Sequence, residues 1–218
     1  MEENAKIQPK KRSAVGQKKL EILAQLSQWL PEIAAGRMSV FFLDECHLLW
    51  GDICGYIWGK SNRRIEVPIV NERQKQTYYG ALDYFNHEFL LQAYPIANSE
   101  HTISFLDYLQ AQRPNQRIAI IWDGASYHRS QEVKDYLQSL NTVCDQRSWS
   151  LTCIRFAPNA PEQNPVEDVW LVAKRFLREF YHLCDSFSLV KLLFELVTHG
   201  QTFNFPKLFE YAVVPQPT

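Results

Sequence analysis

The sequence predicts an α/β domain built on a mixed sheet, and three observations carry that expectation. Short apolar runs rich in β-branched or aromatic residues, at Ser39–Asp44, Ile118–Trp122 and Leu151–Phe156, read as strands buried on both faces. Segments with apolar residues at helical spacing alternate with the later runs. A stretch of hairpin signals separates the first run from the second. Hairpins join antiparallel strands and helices cross between parallel ones, so both kinds of pairing are expected in one sheet.

Taken in order, Met1 to Gln17 is polar and basic, with Lys6, Lys10, Lys11 and Arg12, and reads as a solvated tail or an arm on phosphates. Lys18 to Leu30 places Ile22, Leu23, Leu26, Trp29 and Leu30 at helical spacing, closed by Pro31 and Gly36. Ser39–Asp44 (SVFFLD) is the first strand and ends on an acid. Ile53–Trp58 and Ile65–Val70 read as strands around the turn Gly59-Lys60-Ser61-Asn62. Tyr78–Tyr84 and Glu88–Tyr94 flank Phe85-Asn86-His87 as a hairpin. Asn98 or Ser99 caps a helix with Ile103, Leu106 and Leu109 inward, and Pro114 follows it. Ile118 to Trp122 then runs into Asp123-Gly124. His128 and Arg129 open the next helix, which carries Val133, Tyr136, Leu137 and Leu140 at i, i+3, i+4, i+7. After Leu151–Phe156, Asn164-Pro165 opens a further helix, with Pro at its first position. Phe187–Val197 is nearly all apolar and packs as a buried helix. Residues 1–36 are thus expected to be a basic tail and linker helix, and 37–218 the folded domain.

Composition narrows the function. The chain has 218 residues, 46% hydrophobic and 13% aromatic, enough for a large core. A formal net charge of −1 argues against a purely electrostatic nucleic-acid binder, though not against an enzyme with acids at its site and bases around it. Five cysteines without a C-x-x-C fit free thiols in a reducing cytoplasm. No apolar run approaches the roughly 20 residues of a membrane span. Zinc-protease, Walker A, dinucleotide-binding and nucleophile-elbow motifs are absent from the sequence.

The chemistry-bearing residues are acids. Asp44 and Asp123 end two strands, and Glu167 lies in the first turn of the helix after the third. Right-handed crossovers between neighbouring strands would bring all three to one sheet edge. Clustered carboxylates repel, and a hard divalent cation such as Mg²⁺ neutralises them with oxygen ligands. Two such ions about 3.5–4 Å apart support in-line attack on a phosphodiester. Each acid also has a plainer structural explanation. Asp123 before Gly124 suits a turn, Asp44 suits a strand end, and Asn164 with Glu167 suits a capping box. Glu45 and Asp168 are neighbouring alternatives. Strand alternation sends Glu45 to the face opposite Asp44, which counts against it.

Candidate DNA contacts are basic. On the helix from Pro165, Glu167, Leu171, Lys174 and Arg178 form a stripe with Arg175 beside it. His128 and Arg129 follow Asp123 and could touch phosphate, though His128 alone reads more readily as a capping or packed residue; Lys60, Arg63 and Arg64 sit on the hairpin loop.

Three blocks together resemble the mariner superfamily of DDE transposases, in its bacterial insertion-sequence branch. They are FFLDECH at Phe41–His47, WDGASYHRS at Trp122–Ser130 and APNAPEQNPVEDVW at Ala157–Trp170, with GALD at Gly80–Asp83 between. The third is the most specific, since Gln163-Asn164-Pro165-Val166-Glu167 matches the family's Leu-Asn-Pro-Ile-Glu. The likeness covers roughly residues 17 to 200. It implies a ribonuclease H-like fold, a mixed five-stranded sheet flanked by helices. It implies Mg²⁺ or Mn²⁺, as two ions, held by Asp44, Asp123 and Glu167. It also implies cleavage and strand transfer at transposon ends, a homo-oligomer on DNA, and a place at the bacterial nucleoid in the cytoplasm.

Three departures stand out. Gly124 replaces the family's Asn, which is expected to loosen that loop. Asp123 and Glu167 are separated by 43 residues, longer than is common, with the extra length expected in Asn141–Ser150. Only about 36 residues precede the first strand, so the family's helix-turn-helix half is expected on a separate chain. Two other readings stay open: an inactive remnant or DNA-binding assembly partner, and another ribonuclease H-like nuclease such as a resolvase.

Overall fold

A computed structural model describes residues 9–53, 74–142, 145, 148–158 and 160–212. Five strands form one sheet: β1 (Met38–Leu49), β2 (Lys75–Asp83), β3 (Phe89–Tyr94), β4 (Arg117–Trp122) and β5 (Leu151–Arg155). Their order is β3-β2-β1-β4-β5. β1–β2 and β2–β3 are antiparallel, and β1–β4 and β4–β5 are parallel. The mixed sheet expected from hairpins followed by crossovers is therefore present.

Strand alternation splits the core in two. One face carries Val40, Phe42, Tyr78, Leu82, Phe89 and Ile121 against α1 (Pro9–Ala34), α4 (Val166–Glu179) and α5 (Phe187–Leu196). The other carries Phe41, Leu43, Tyr79, Ala81, Ile118 and Ile120 against α2 (Ser99–Gln112) and α3 (Gln131–Leu140). Each fully buried Phe, Leu or Ile contributes about 1.5–3 kcal/mol relative to exposure. That makes the central strands, β1 and β4, the rigid frame of the molecule.

Several elements differ from the sequence-based expectation. α1 begins at Pro9 and passes through Pro31. A proline removes only one intrahelical hydrogen bond, and burial of Ile22, Leu26, Trp29 and Ile33 carries the helix past it. It stops at Gly36, whose φ of +67° is a conformation that glycine adopts without penalty. β1 does not end at Asp44. β4 pairs with it only as far as Phe42↔Ile121, while β2 pairs with it to Leu49↔Lys75. Asp44 thus lies just beyond the point where its parallel neighbour stops. His128 and Arg129 form a separate 3-10 turn, Tyr127–Arg129, and Ser130 caps α3 by accepting from Val133 N–H. The strands expected at Ile53–Trp58 and Ile65–Val70 fall almost wholly outside the described residues, as do Lys6, Lys60, Arg63 and Arg64.

The C-terminal segment supplies an unexpected part of the core. After the helical turn α6 (Pro206–Phe209), Tyr211 is fully buried, its ring 4.9 Å from that of Phe42. Tyr211 donates to the Gln163 carbonyl at 2.9 Å, and Tyr84 donates to the Tyr211 carbonyl at 3.0 Å. Lys207 donates to the Asn164 carbonyl and to Asp168 Oδ1 at 3.3 and 2.9 Å. This segment therefore clasps the loop that leads into α4. Among the described residues, no helix is long and apolar enough to cross a membrane.

Candidate active site

Asp44, Asp123 and Glu167 come from three separate elements and line one cavity of about 1040 Å³. β1 supplies the first, the turn after β4 the second, and the first turn of α4 the third. Lys18, Arg129 and Arg155 line the same cavity, so its wall carries bases as well as acids.

Glu167 is free for this role because the expected capping box does not form. Asn164 N–H goes to the Pro161 carbonyl. The Asn164 side chain accepts from Val166 N–H at 3.1 Å and donates to the Leu43 carbonyl at 3.0 Å. Asn164 thus ties the start of α4 to β1, one residue before Asp44. The alternative acid, Asp168, is engaged in its ion pair with Lys207.

The charges are not equivalent. Burial, then Glu45 and Glu167, hold Asp44 well above the ordinary aspartate value of 3.8, against hydrogen bonds from Trp170 and the Glu45 backbone. Burial also raises Glu167; Asp168 and Asp123 push the same way against Lys207 and Lys174. Asp123 is lowered, first by its contact with His128 and also by Ala125 N–H at 2.9 Å.

His128 is packed, one of the roles its position allowed. It is 6% exposed, stacked on Trp122 at 4.2 Å between ring centroids and set between two acids. Nε2 lies 2.9 Å from Glu45 Oε1 and Nδ1 lies 3.0 Å from Asp123 Oδ1. The second approach is oblique, an ion pair without an aligned hydrogen bond. Burial opposes a charge on this ring most strongly, yet the two carboxylates outweigh it and raise the pKa to about 9. Glu45, disfavoured by alternation, does leave the opposite face from Asp44. There it meets the turn after β4, where it also accepts from Tyr127 Oη at 3.0 Å. Alternation gives the face of a strand residue but not the loop that folds back over it.

Among the described residues, the one group of three ligating side chains with all ligand atoms within 4.8 Å is Glu45, Asp123 and His128. A histidine must be deprotonated to bind metal. With a pKa near 9, His128 serves Asp123 and Glu45 as a counter-ion at neutral pH. The donor set of Asp44, Asp123 and Glu167 is all hard oxygen, and burial and neighbouring acids raise the pKa of two members, Asp44 and Glu167. That chemistry fits Mg²⁺ or Mn²⁺.

Of the basic residues, Arg129 and Arg175 are exposed, and Lys174 and Arg178 are half-buried on α4. Arg155 and Lys18, which sequence reasoning did not single out, are brought to the cavity by β5 and α1. Arg155 is the last residue of β5, in register with Trp122 at the end of β4.

The family model for the DDE superfamily endonuclease matches residues 39–188, about two-thirds of the chain. No curated protein matches the chain. Among solved structures, the chain is similar to the Mos1 transposase paired-end complex with left transposon end. Identity is 14% and the TM-score 0.54, over 95% of this chain and 54% of that one. It is similar to the Mos1 transposase catalytic domain with raltegravir and Mn at 13% identity and TM-score 0.53, over 88% and 84% of the two chains. A simian T-cell lymphotropic virus intasome matches at 12% identity and TM-score 0.51, over 82% and 56%. At these identities the likeness is one of fold, the ribonuclease H-like sheet, and this chain spans about half the length of the full Mos1 chain.

Proposed function

This chain belongs to the DDE superfamily endonuclease family, and we propose that it is the catalytic domain of a transposase. In this reading it cuts DNA at transposon ends and joins the freed ends to target DNA. The observation that carries the reading is that Asp44, Asp123 and Glu167, from three elements, line one cavity, with Lys18, Arg129 and Arg155 in its wall.

The three carboxylates would hold two Mg²⁺ or Mn²⁺ ions, which supply Lewis-acid polarisation of the scissile phosphate and an activated attacking oxygen. The chain's own side chains do the rest. Arg129 and Arg155 place positive charge beside the acids, where phosphates flanking the cut would lie. Lys174, Arg175 and Arg178 extend that charge along α4. His128 keeps Asp123 ionised and fixed. In the first step a water oxygen bonds to phosphorus and the bond to O3′ breaks, with O3′ taking up a proton. In the second step that hydroxyl attacks a target phosphorus, loses its proton and displaces a target 3′ oxygen. The partners in this reading are transposon-end and target DNA, a separate helix-turn-helix half and further copies of this chain. The place of action is the bacterial nucleoid.

Nicking of end-bearing DNA tests the reading. Wild type with Mg²⁺ or Mn²⁺ is expected to nick, and Asp123→Asn is expected to be inactive. Equal nicking by both would overturn the assignment. DNA binding without cleavage under either metal, with a helix-turn-helix half supplied, would identify a non-enzymatic assembly partner instead.

A further inference from the structure

We propose that Trp170 is a positioning residue that aims the Asp44 carboxylate into the cavity, and that Gly80 is glycine to admit its ring. The inference rests on the assignment of Asp44 as a metal ligand.

Trp170 lies one turn after Glu167 on α4 and is 4% exposed. Its Nε1 donates to Asp44 Oδ2 at 3.0 Å. The indole has little freedom. It stands edge-on to Phe89 at 5.2 Å between ring centroids and is stacked on Phe194 at 5.9 Å. On its third side is Gly80, which pairs with Asp44 across β1 and β2. A Cβ at Gly80 would fall 2.4 Å from Trp170 Cη2, 2.7 Å from Cζ2 and 2.3 Å from Phe89 Cζ. Any side chain there drives the ring away, and the N–H moves with it. The absent side chain on β2 and the donor to β1 are thus two parts of one arrangement.

The choice of donor has a chemical consequence. An indole N–H is a donor only and uncharged. It fixes one oxygen of a carboxylate without neutralising it, whereas Lys or Arg would supply the positive charge itself. The indole thus orients Asp44 without supplying a counter-charge. Because Glu167 and Trp170 share one turn of one helix, the placement of α4 sets two of the three acids together.

Plain core packing, with the N–H resting on the nearest acceptor, is the competing explanation, and metal affinity separates the two. The measurement is Mn²⁺ binding to the full chain, for wild type, Trp170→Phe, Trp170→3-benzothienylalanine and Asp123→Asn. The benzothienyl side chain keeps the fused ring and lacks the N–H. Loss of an outer hydrogen bond to a ligand typically weakens metal binding about 10–100-fold. That loss is expected in both Trp170 variants, with the melting temperature of the benzothienyl protein near that of wild type. Mn²⁺ binding that is lost in Asp123→Asn but unchanged in the benzothienyl protein would overturn this inference alone. Binding unaffected by Asp123→Asn, or absent from wild type, would overturn the metal-site assignment and this inference with it.

Discussion

Asp44, within β1, and Asp123, in the turn after the neighbouring β4, line the same cavity, yet their surroundings are opposite. Asp44 is buried, is repelled by the charges of Glu45 and Glu167, receives a neutral N–H from Trp170 and is held above the ordinary aspartate range. Asp123, with a 55% exposed side chain, has an imidazolium beside it and is held below that range. One acid is already balanced by the protein and the other is left for a cation to balance. A cluster of carboxylates thus divides into a settled anchor and an unsatisfied partner, each set by what the opposite face of β1 and the turn after β4 bring near.

The largest expected contrast is in the response to metal. Mn²⁺ at a hundred times its Kd should stabilise wild type by about 2.7 kcal/mol. Thermal melts should show that gain in wild type and lose it in both Asp44→Asn and Asp123→Asn.

Without metal the same two variants should part in sign. Asp44→Asn removes a repelled, partly buried charge and should raise the melting temperature. Asp123→Asn deprives His128 of a counter-ion and should lower it. Each shift is about 2–4 °C, corresponding to about 1 kcal/mol in a chain of this size after allowance for solvent screening. Shifts of the same sign would break the comparison.

The smallest contrast is in pH dependence. His128 rises from 6.5 unfolded to about 9 folded. Its contribution is therefore complete below pH 6.5 and lost as pH climbs through 9. Asp44, raised above 3.8, likewise contributes most below 3.8 and loses its contribution as pH rises through its folded value. Asp123, lowered from 3.8, acts on the other limb: its contribution holds above 3.8 and is lost as pH falls through its folded value. Melts from pH 6 to 10 should fall more steeply for wild type than for His128→Gln, which removes the histidine's part of the slope.

Much of this arrangement was legible in the sequence, and the exceptions share a cause. The Ile-rich run before Asp123 marked β4, and the block around Asn164 marked the start of α4. Both signals are local. Legibility failed where a contact joins distant segments. Trp170 reads as one more residue on an apolar helix face, and nothing in its spacing shows that its N–H reaches Asp44. Glu45 was set aside on strand alternation, which is correct about its face and silent about Tyr127 and His128. The capping box at Asn164 is pre-empted, because its backbone N–H goes to the Pro161 carbonyl and its side-chain oxygen to Val166 N–H. At Gly124 a Cβ would meet nothing within 4 Å, so space alone does not call for glycine there.

The clasp formed by Lys207 and Tyr211 bears on how the chain is shortened. Trimming it back to the block matched by the family, residues 39–188, would retain Asp44, Asp123 and Glu167. It would also unfasten the strap behind Gln163, Asn164 and Asp168, and with it the footing of Glu167. A fragment chosen by motif alone would carry the right residues on a loosened hinge.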